Sequence, residues 1–296
     1  MTVLPYTAVE LDRAGERRTD EQWLAALWAD PTTRVIPMWQ GDCLVADDEP
    51  VVVPGAEFAE VAVGQGNGAP VFLGLDADTA LFALDLSWMD REAACARVGA
   101  SGTADVRALF ATASRVPANT LAYARGLCLW HREQRFCGRC GAETRPSNGV
   151  HLRACTGCAK LLFTRIEPAV ITLIEAPGDA PRVLLARNSR GRHFGLVAGF
   201  VEIGESLEDA VRREAAEEVG AVLDSVTYLG SQGWPFPSGL MLGFHARATT
   251  EEFTVDGDEI AEARWVGREE FAEHAARFRS DSIETHLAAS WLARHQ

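Results

Sequence analysis

The hydrophobic pattern of residues 1–134 predicts a domain that contains both strands and helices. Short β-branched and apolar runs bounded by Gly, Pro and Asp predict strands over 33–39, 43–46, 51–53, 60–63, 71–75 and 82–86. Apolar positions with helical spacing predict helices over 21–29, 90–98, 106–113 and 119–133. Strands followed by helices are typical of the α+β class. This part of the pattern indicates no particular chemistry.

The pattern of residues 163–296 also alternates between strand and helix. Strands are predicted over 169–175, 182–187, 195–201, 226–230, 240–247 and 263–266, and helices over 207–219, 268–274 and 282–294. Ser206 and Asp209 are placed to cap the first of these helices, and Gly220 to end it. We therefore expect a well-defined helix after the glycine-containing turn at 199–204.

Three glutamates on this helix are spaced so that their carboxylates share one face. They occupy positions i, i+3 and i+4: Glu214, Glu217 and Glu218. Most acidic clusters on helices are only solvated faces. If these carboxylates stay ionised together, they need cations, and Mg²⁺ or Mn²⁺ suits oxygen ligands. Glu205 and Arg213, eight residues apart, are predicted to form a structural ion pair between the loop and the helix.

Charge and composition exclude some classes of protein. The chain has 296 residues, enough for two domains, and a net charge of −14, which argues against a broad basic surface for nucleic acid, DNA included. A small phosphate site neutralised by metal remains compatible with that charge. The sequence shows no signal peptide pattern and no run of about 18 apolar residues, so we expect a cytoplasmic protein without a membrane partner.

Four cysteines have the spacing of a metal site. They form two Cys-x2-Cys pairs separated by fourteen residues: Cys137, Cys140, Cys155 and Cys158. Four thiolates fit tetrahedral zinc with no open position, which predicts a structural zinc ribbon over 135–162. An iron–sulfur site or a redox dithiol fits this spacing less well. Nearby arginines supply some charge for an accessory nucleic-acid role, without a clear aromatic platform: Arg135, Arg139, Arg145 and Arg153.

Two motifs carry a resemblance to a known family. The stretch from Gly199 to Gly220 resembles the Nudix box at every charged and glycine position, which implies a metal-dependent hydrolase of nucleoside diphosphate derivatives. The stretch Ser231–Gln232–Gly233–Trp234–Pro235–Phe236–Pro237, followed by Leu240–Met241, resembles the signature of the NADH pyrophosphatases, the NAD-capped RNA hydrolase family.

The resemblance extends over the whole chain and implies its organisation. The family has a variable N-terminal domain, a zinc ribbon and a Nudix domain in that order. The implied fold is α+β: a Nudix α/β/α sandwich with a mixed sheet, preceded by a zinc ribbon and an α+β domain. The expected boundaries are 1–134, 135–162 and 163–296.

The resemblance also implies roles for individual residues. Glu218 would be the key catalytic carboxylate, with Glu217 the alternative and Glu214 beside them. The Mg²⁺ or Mn²⁺ ligands would be the Ala198 carbonyl, Glu214, Glu217, Glu218 and Glu259. Substrate contacts would come from Phe163, Phe200, Gln232, Gly233, Trp234, Pro235, Phe236, Pro237, Ser238, Gly239 and Arg107.

The expected activity is hydrolysis of the pyrophosphate of NAD(H) to NMN(H) and AMP, and removal of NAD caps from RNA. The resemblance also implies a homodimer. One alternative is a Nudix hydrolase of another substrate such as ADP-ribose; another is a zinc-ribbon regulator with a vestigial box. The chain departs from the family at Gly233, Gly239 (with serine one place earlier, at Ser238), Phe163 and Glu284. These departures bear on substrate preference and rate.

Overall fold

The computed structural model describes residues 4–66, 68–114 and 116–295, which divide into two compact units. The N-terminal unit comprises Ala8–Arg165 and also Pro235–Ser238. The C-terminal unit comprises the residues up to Thr7, then Ile166–Trp234, and the residues from Gly239 onward. The segment that resembles the family signature is therefore shared between the two units.

A mixed sheet forms the framework of the N-terminal unit. Its strands are β1 (Arg34–Trp39), β2 (Asp42–Ala46), β3 (Glu49–Pro50), β4 (Val53–Pro54), β5 (Val71–Asp76), β6 (Thr79–Asp85) and β7 (Gly102–Ala104). The order is β3-β2-β1-β6-β5, β1 and β6 run parallel, and β4 and β7 pair with β1 and β2. The helices are α1 (Glu21–Ala29), α2 (Arg91–Val98) and α3 (Ala118–Glu133). Buried aromatic and aliphatic side chains, among them Phe72 and Phe82, form the core.

A small antiparallel sheet follows α3 in the same unit. It consists of β8 (Thr144–Ser147), β9 (Leu152–Cys155) and β10 (Leu161–Phe163), in the order β10-β9-β8. Strands this short bury little apolar surface, so a sheet of this size needs another source of stability.

The C-terminal unit is a mixed sheet with helices packed on both faces. Its strands are β11 (Glu167–Glu175), β12 (Arg182–Asn188), β13 (Val197–Phe200), β14 (Leu223–Trp234), β15 (Gly239–Ala248) and β16 (Ile260–Gly267). The order is β14-β15-β11-β12-β16, β13 pairs with β11, and β11 and β15 are parallel. The helices are α4 (Leu207–Val219), α5 (Arg268–Ala275) and α6 (Ile283–Arg294). One core contains the apolar side of α4 and the other contains side chains of α5 and α6.

The ends of α4 confirm the capping expected from the sequence. The Ser206 hydroxyl and the Asp209 carboxylate form a capping box, and Gly220 ends the helix with a positive φ of 63°. Apolar residues of the helix are buried in the core: Ala210, Val211, Ala215 and Val219. The packing of this face fixes the direction in which the acidic face points.

The α+β class is confirmed, but several predicted elements are wrong. Residues 106–113 form successive turns rather than a helix, and 60–63 are not a strand. Of the predicted strand over 51–53, only Val53 lies in a strand, β4, and residues 51 and 52 connect β3 to β4. Strand β14 extends to Trp234, past the predicted end at 230, because it pairs with β15 along its length. Within the described part of the chain, no helix combines the length and apolar character needed to cross a membrane.

Candidate active site

Arg213 on α4 is the centre of an ion-pair network. Its Nε and Nη2 donate to the two carboxylate oxygens of Glu205 at 2.6 and 3.0 Å, and Nη2 also donates to the Phe200 carbonyl at 2.8 Å. Nη1 donates to Glu214 at 2.8 Å and Glu217 at 3.0 Å. The hydrogen bonds from Arg213 lower the pKa of Glu205 to about 2. The predicted Glu205–Arg213 pair is therefore present and ties the loop to the helix.

Glu218 is a buried carboxylate with other acidic groups close by. Only 6% of the surface of Glu218 is exposed. Burial raises the pKa of Glu218 to about 8, and the charges of Glu214, Glu259 and Asp256 act in the same direction. A backbone hydrogen bond at Ala198 opposes the shift. Burial raises the pKa of Glu214 as well, with Glu217 and Glu259 contributing. The structure therefore brings Glu259 and Ala198 to the glutamates of α4.

The Glu214 carboxylate lies directly against the backbone of Gly199. A Cβ atom at Gly199 would stand 2.0 Å from the Glu214 carboxyl group, so this carboxylate, at the end of a flexible side chain, would have to move away. Glycine on β13 therefore allows the close approach of strand and helix that places Glu214 beside Ala198 and Glu218.

The donor chemistry of this cluster fits divalent cations. Its carboxylates are crowded enough to raise each other's pKa, and all of its donor atoms are oxygens. Glu214 and Glu217 nevertheless bond to Arg213. Among the residues that the structure describes, the four thiols of the ribbon lie close enough together to bind one metal ion, whereas the glutamates of α4 do not form such a group in this conformation.

The four predicted zinc ligands lie together. The sulfur atoms of Cys137, Cys140, Cys155 and Cys158 are all within 4.8 Å of one another. The backbone amides of Gly157 and Cys158 donate to the Cys155 sulfur, each at 3.3 Å. Hydrogen bonds from the backbone at Cys158 and Gly157 lower the pKa of Cys155 to about 6, which favours the thiolate that binds metal. The cluster fits a tetrahedral structural zinc ion.

Gln232 has a structural role in this conformation, whereas the resemblance implied a substrate contact. The side chain is fully buried in the C-terminal unit. Its Nε2 donates to the Asp281 carbonyl at 2.7 Å and the Pro5 carbonyl at 3.1 Å, and its Oε1 accepts from the Ile283 amide at 2.7 Å. Both protons of Nε2 are thus used, and the amide ties β14 to Pro5 and to the segment before α6.

The segment after Trp234 contacts two arginines of the N-terminal unit. Arg125 on α3 donates from Nη1 to the Pro235 carbonyl at 2.7 Å, and its guanidinium carbon lies 5.1 Å from the centre of the Phe236 ring. Arg107 lies 5.2 Å from the same ring and also pairs with Asp105 at 3.2 Å. Cation–π contacts of this kind fix an aromatic ring in place.

The remaining predicted substrate residues differ in exposure. Phe163 is 72% exposed and Phe200 is 64% exposed, so both rings can stack on a ligand. Trp234 is partly buried and packs edge to face against Tyr6 at 5.8 Å. Gly233, Pro235, Ser238 and Gly239 are partly buried, and Pro237 is exposed.

Arg153 does not contribute to a nucleic-acid surface. It is fully buried, and its guanidinium donates to the Thr144 hydroxyl and carbonyl, both at 2.7 Å, and lies 2.6 Å from His131 Nδ1. The expectation that this arginine supplies charge for an accessory nucleic-acid role is therefore wrong. Its role is to hold the ribbon strands to α3.

Comparisons with known proteins agree with this arrangement. A model of the NUDIX domain matches residues 165–286, and a model of the NADH pyrophosphatase-like rudimentary NUDIX domain matches residues 32–130. The NAD-capped RNA hydrolase NudC of Pseudomonas fluorescens is 36% identical over 241 residues, which cover 80% of this chain and 79% of that protein. The chain belongs to the NADH pyrophosphatase and NAD-capped RNA hydrolase family of Nudix hydrolases.

Other family members match over shorter regions. NudC of Pseudomonas aeruginosa is 40% identical over 59% of this chain, and this match spans 61% of that relative's length. NudC of Mycobacterium tuberculosis is 43% identical over 56% of this chain and 53% of the relative. A solved Nudix hydrolase from Nitrosomonas europaea aligns with 54% of this chain and 92% of its own, at 24% identity and a TM-score of 0.45.

Two features of this Nudix hydrolase were not predicted from the sequence. The first is the rudimentary Nudix character of residues 32–130, whose pattern indicates only strands followed by helices. The second is Arg125, which lies in an amphipathic helix and looks like an ordinary helical arginine. Only its contact with Pro235, which is 110 residues away, reveals its role.

Proposed function

We propose that this chain hydrolyses the pyrophosphate of NAD(H) to NMN(H) and AMP, and that it removes NAD caps from RNA 5′ ends. Relatives at 36–43% identity bear the name NAD-capped RNA hydrolase. The strongest structural support is the group of carboxylates around Glu218, together with Phe200, whose ring is exposed and whose carbonyl accepts a hydrogen bond from Arg213. This arrangement combines a site for cations with a flat surface for a base or a nicotinamide.

The glutamates would hold the catalytic cations, Mg²⁺ or Mn²⁺. Glu214, Glu217, Glu218 and Glu259 supply carboxylate oxygens, and the Ala198 carbonyl is the proposed backbone ligand. When bound, such ions polarise a phosphoryl group and lower the pKa of an attacking water. In the balanced reaction, a water oxygen bonds to one phosphorus and the bridging oxygen leaves with the other phosphate. Two monophosphates, NMN(H) and AMP, result.

Other residues of the chain orient the cluster and the substrate. Arg213 fixes Glu205 of the loop and, through its bond to the Phe200 carbonyl, the end of β13. Phe163, Phe200 and Trp234 offer ring surfaces for stacking. Arg125 and Arg107 hold Phe236. The roles of Pro237, Ser238 and Gly239 in substrate binding, and the homodimer that the resemblance implies, stay predictions.

Product analysis tests the proposed function. The purified chain is incubated with Mg²⁺ or Mn²⁺ and with NADH, NAD or ADP-ribose in parallel, and the products are separated by chromatography. NMN(H) and AMP from the dinucleotides would support the proposal. A large preference for ADP-ribose would identify a different Nudix substrate. RNA binding without metal-dependent hydrolysis would instead favour the regulator with a vestigial box.

A further inference from the structure

A cavity of about 470 Å³ in the C-terminal unit is lined largely by arginine and histidine side chains. It is formed by the loop between β12 and β13, by β16, and by α5 with the segment that follows it. Six arginine and histidine side chains line it: Arg192, His193, Arg264, His274, Arg277 and Arg279. The four arginines are the cations of this set, since burial and the charge of Arg264 lower the pKa of His274, and they lie together in a chain whose net charge is −14.

Nearby carboxylates neutralise only part of this charge. Arg279 forms two hydrogen bonds with Asp281, at 2.9 and 2.8 Å, and Arg264 pairs with Glu270 at 3.2 Å. Arg192 and Arg277 are exposed, and within the described residues neither forms an ion pair with a carboxylate. These two guanidinium groups are therefore available to an anionic ligand.

Glu284 is the one carboxylate among the side chains that line the cavity within the described residues. Its Oε1 accepts a hydrogen bond from the Leu196 amide at 3.0 Å, and the same atom would lie 2.9 Å from a Cβ at Gly195. This oxygen is therefore engaged with the backbone of the wall. Four guanidinium groups thus face three carboxylates, those of Glu284, Asp281 and Glu270, which leaves a small excess of positive charge around the cavity.

An aromatic ring holds part of the wall in a fixed position. The Arg264 guanidinium lies 4.5 Å from the centre of the Phe194 ring, and the His274 ring packs against Phe194 edge to face at 5.6 Å. Arg264 Nη2 and His274 Nε2 are 2.9 Å apart. The buried Nε of Arg264 has no hydrogen-bond partner among the described residues. These contacts hold Arg264 and His274 in place at the cavity without a ligand. The Nε of Arg264 stays available there as a hydrogen-bond donor.

Strand β13 connects this cavity to the carboxylate cluster. Gly195, just before the strand, lines the cavity, and Gly199, four residues later, lies against Glu214. Four residues of extended chain span about 13 Å. A ligand with several phosphates is long enough to reach from the cavity towards the carboxylates.

We propose that this cavity binds a phosphate group other than the diphosphate that the carboxylate cluster would cleave. Arginine forks match the geometry of phosphate oxygens and bind them by charge-assisted hydrogen bonds. Two sources share this chemistry: an internucleotide phosphate of an RNA, and a free phosphate or small phosphorylated metabolite. Because the proposal concerns binding alone, it does not depend on hydrolysis of NADH.

Binding measurements on the full chain without added divalent cation test the proposal. Without divalent cations the carboxylates around Glu218 repel anions. Binding of phosphate or RNA measured under these conditions is therefore assigned to the arginine-lined cavity. One arm titrates inorganic phosphate by calorimetry. The other follows the anisotropy of a decamer RNA with a 5′-monophosphate and a fluorescent 3′ end. Binding in the RNA arm alone identifies a polynucleotide phosphate, and binding in the phosphate arm identifies a small anion.

Charge reversal locates the binding site. The variant carrying both Arg192→Glu and Arg277→Glu is expected to bind at least about tenfold more weakly than the wild type. In the RNA arm, the slope of the logarithm of the binding constant against the logarithm of the salt concentration should become shallower by about one for each lost phosphate contact. Arg268→Glu, an exposed arginine at the start of α5 that does not line the cavity, is the matched control and should bind like the wild type.

Several results would overturn the proposal. They are no binding of either probe by the wild type, equal binding by the reversed variant, or equal loss in Arg268→Glu. Circular dichroism and thermal unfolding check that the variants fold. If the reversed variant does not fold, the variant with Arg192→Gln and Arg277→Gln replaces it, with the same requirement that binding weakens.

Discussion

Arg125 donates a hydrogen bond to the carbonyl oxygen of Pro235 at 2.7 Å, although 110 residues separate them in the chain. The same guanidinium lies over the ring of Phe236, which Arg107 also approaches. Gly126, next to Arg125, leaves room for Pro235, since a Cβ there would lie 3.2 Å from the Pro235 side chain. Helix α3 is thus shaped to hold the segment that resembles the substrate loop.

Replacing Arg125 by alanine should raise the KM for NADH by about tenfold and change kcat less. The reason is that a charge-assisted hydrogen bond contributes about 1.5–3 kcal/mol, and its loss would free the segment at Pro235 and Phe236. Steady-state kinetics separate the two constants. Arg125→Lys should fall between the wild type and alanine, since lysine keeps the charge without the fork. Arg91→Ala, an exposed arginine on α2, is the control. A fall in kcat with unchanged KM would argue against a positioning role.

Gly199→Ala should nearly abolish hydrolysis while the protein stays folded. The new Cβ would occupy the position of the Glu214 carboxylate, which must then move away from Glu218. A loss of kcat of about 100-fold or more is expected from displacing one member of such a cluster. Gly267→Ala, where a Cβ has open space, is the control and should keep its activity. Near-normal turnover of Gly199→Ala would show that Glu214 is not needed where the structure places it.

The purified chain should contain about one zinc ion, bound by four thiolates. Cys155→Ser should lose this zinc and lower the unfolding temperature, because a small ribbon of short strands has little core of its own. Elemental analysis measures the metal, and calorimetry measures the unfolding. Cys95→Ser, on α2, is the control and should keep the zinc content and the unfolding temperature of the wild type. If the wild type contained no zinc, or if the Cys155 variant kept its metal, the predicted ribbon site would be wrong.

Stability should fall below about pH 6.5 because His151 is buried in its neutral form. Burial lowers the pKa of His151 to about 4, although its ring nitrogen lies 2.8 Å from the Phe72 carbonyl. The unfolded chain, with a histidine pKa of about 6.5, binds the proton more readily, so protonation favours unfolding. The free energy of unfolding should drop by about 2 kcal/mol between pH 7 and pH 5 from this residue.

Urea unfolding at a series of pH values measures this effect. His151→Gln should be less stable at pH 7 but should show a smaller loss on acidification. His193→Gln, at an exposed site, serves as the control. The same pH slope in His151→Gln and in the wild type would assign the acid sensitivity to other groups.

Local signals in the sequence predicted the parts of the site that local chemistry determines. The capping residues of α4, the spacing of its glutamates and the paired cysteines all act over a few residues, and the structure places them as expected. The pairing of Glu205 with Arg213 spans only eight residues and was predicted for the same reason.

Contacts between distant parts of the chain were not predictable in this way. Residues 106–113 have helical periodicity, yet Asp105 bonds to the Arg107 amide at 2.7 Å and favours a turn, while Val106 and Leu109 are buried without a helix. Gln232 is polar and lies in a substrate-like motif, but its buried amide satisfies backbone groups at Pro5, Asp281 and Ile283. No periodic pattern indicates which partner such a residue will meet.

The most direct test of the proposed chemistry compares NADH hydrolysis by the wild type and by Glu218→Gln, with products identified by chromatography. Glu208→Gln, exposed in the first turn of α4, is the matched control. The wild type and the control should release NMNH and AMP only when Mg²⁺ or Mn²⁺ is added, while Glu218→Gln should be folded and at least about 100-fold slower. A fully active Glu218→Gln variant, or a wild type that leaves NADH intact with metal present, would contradict the account.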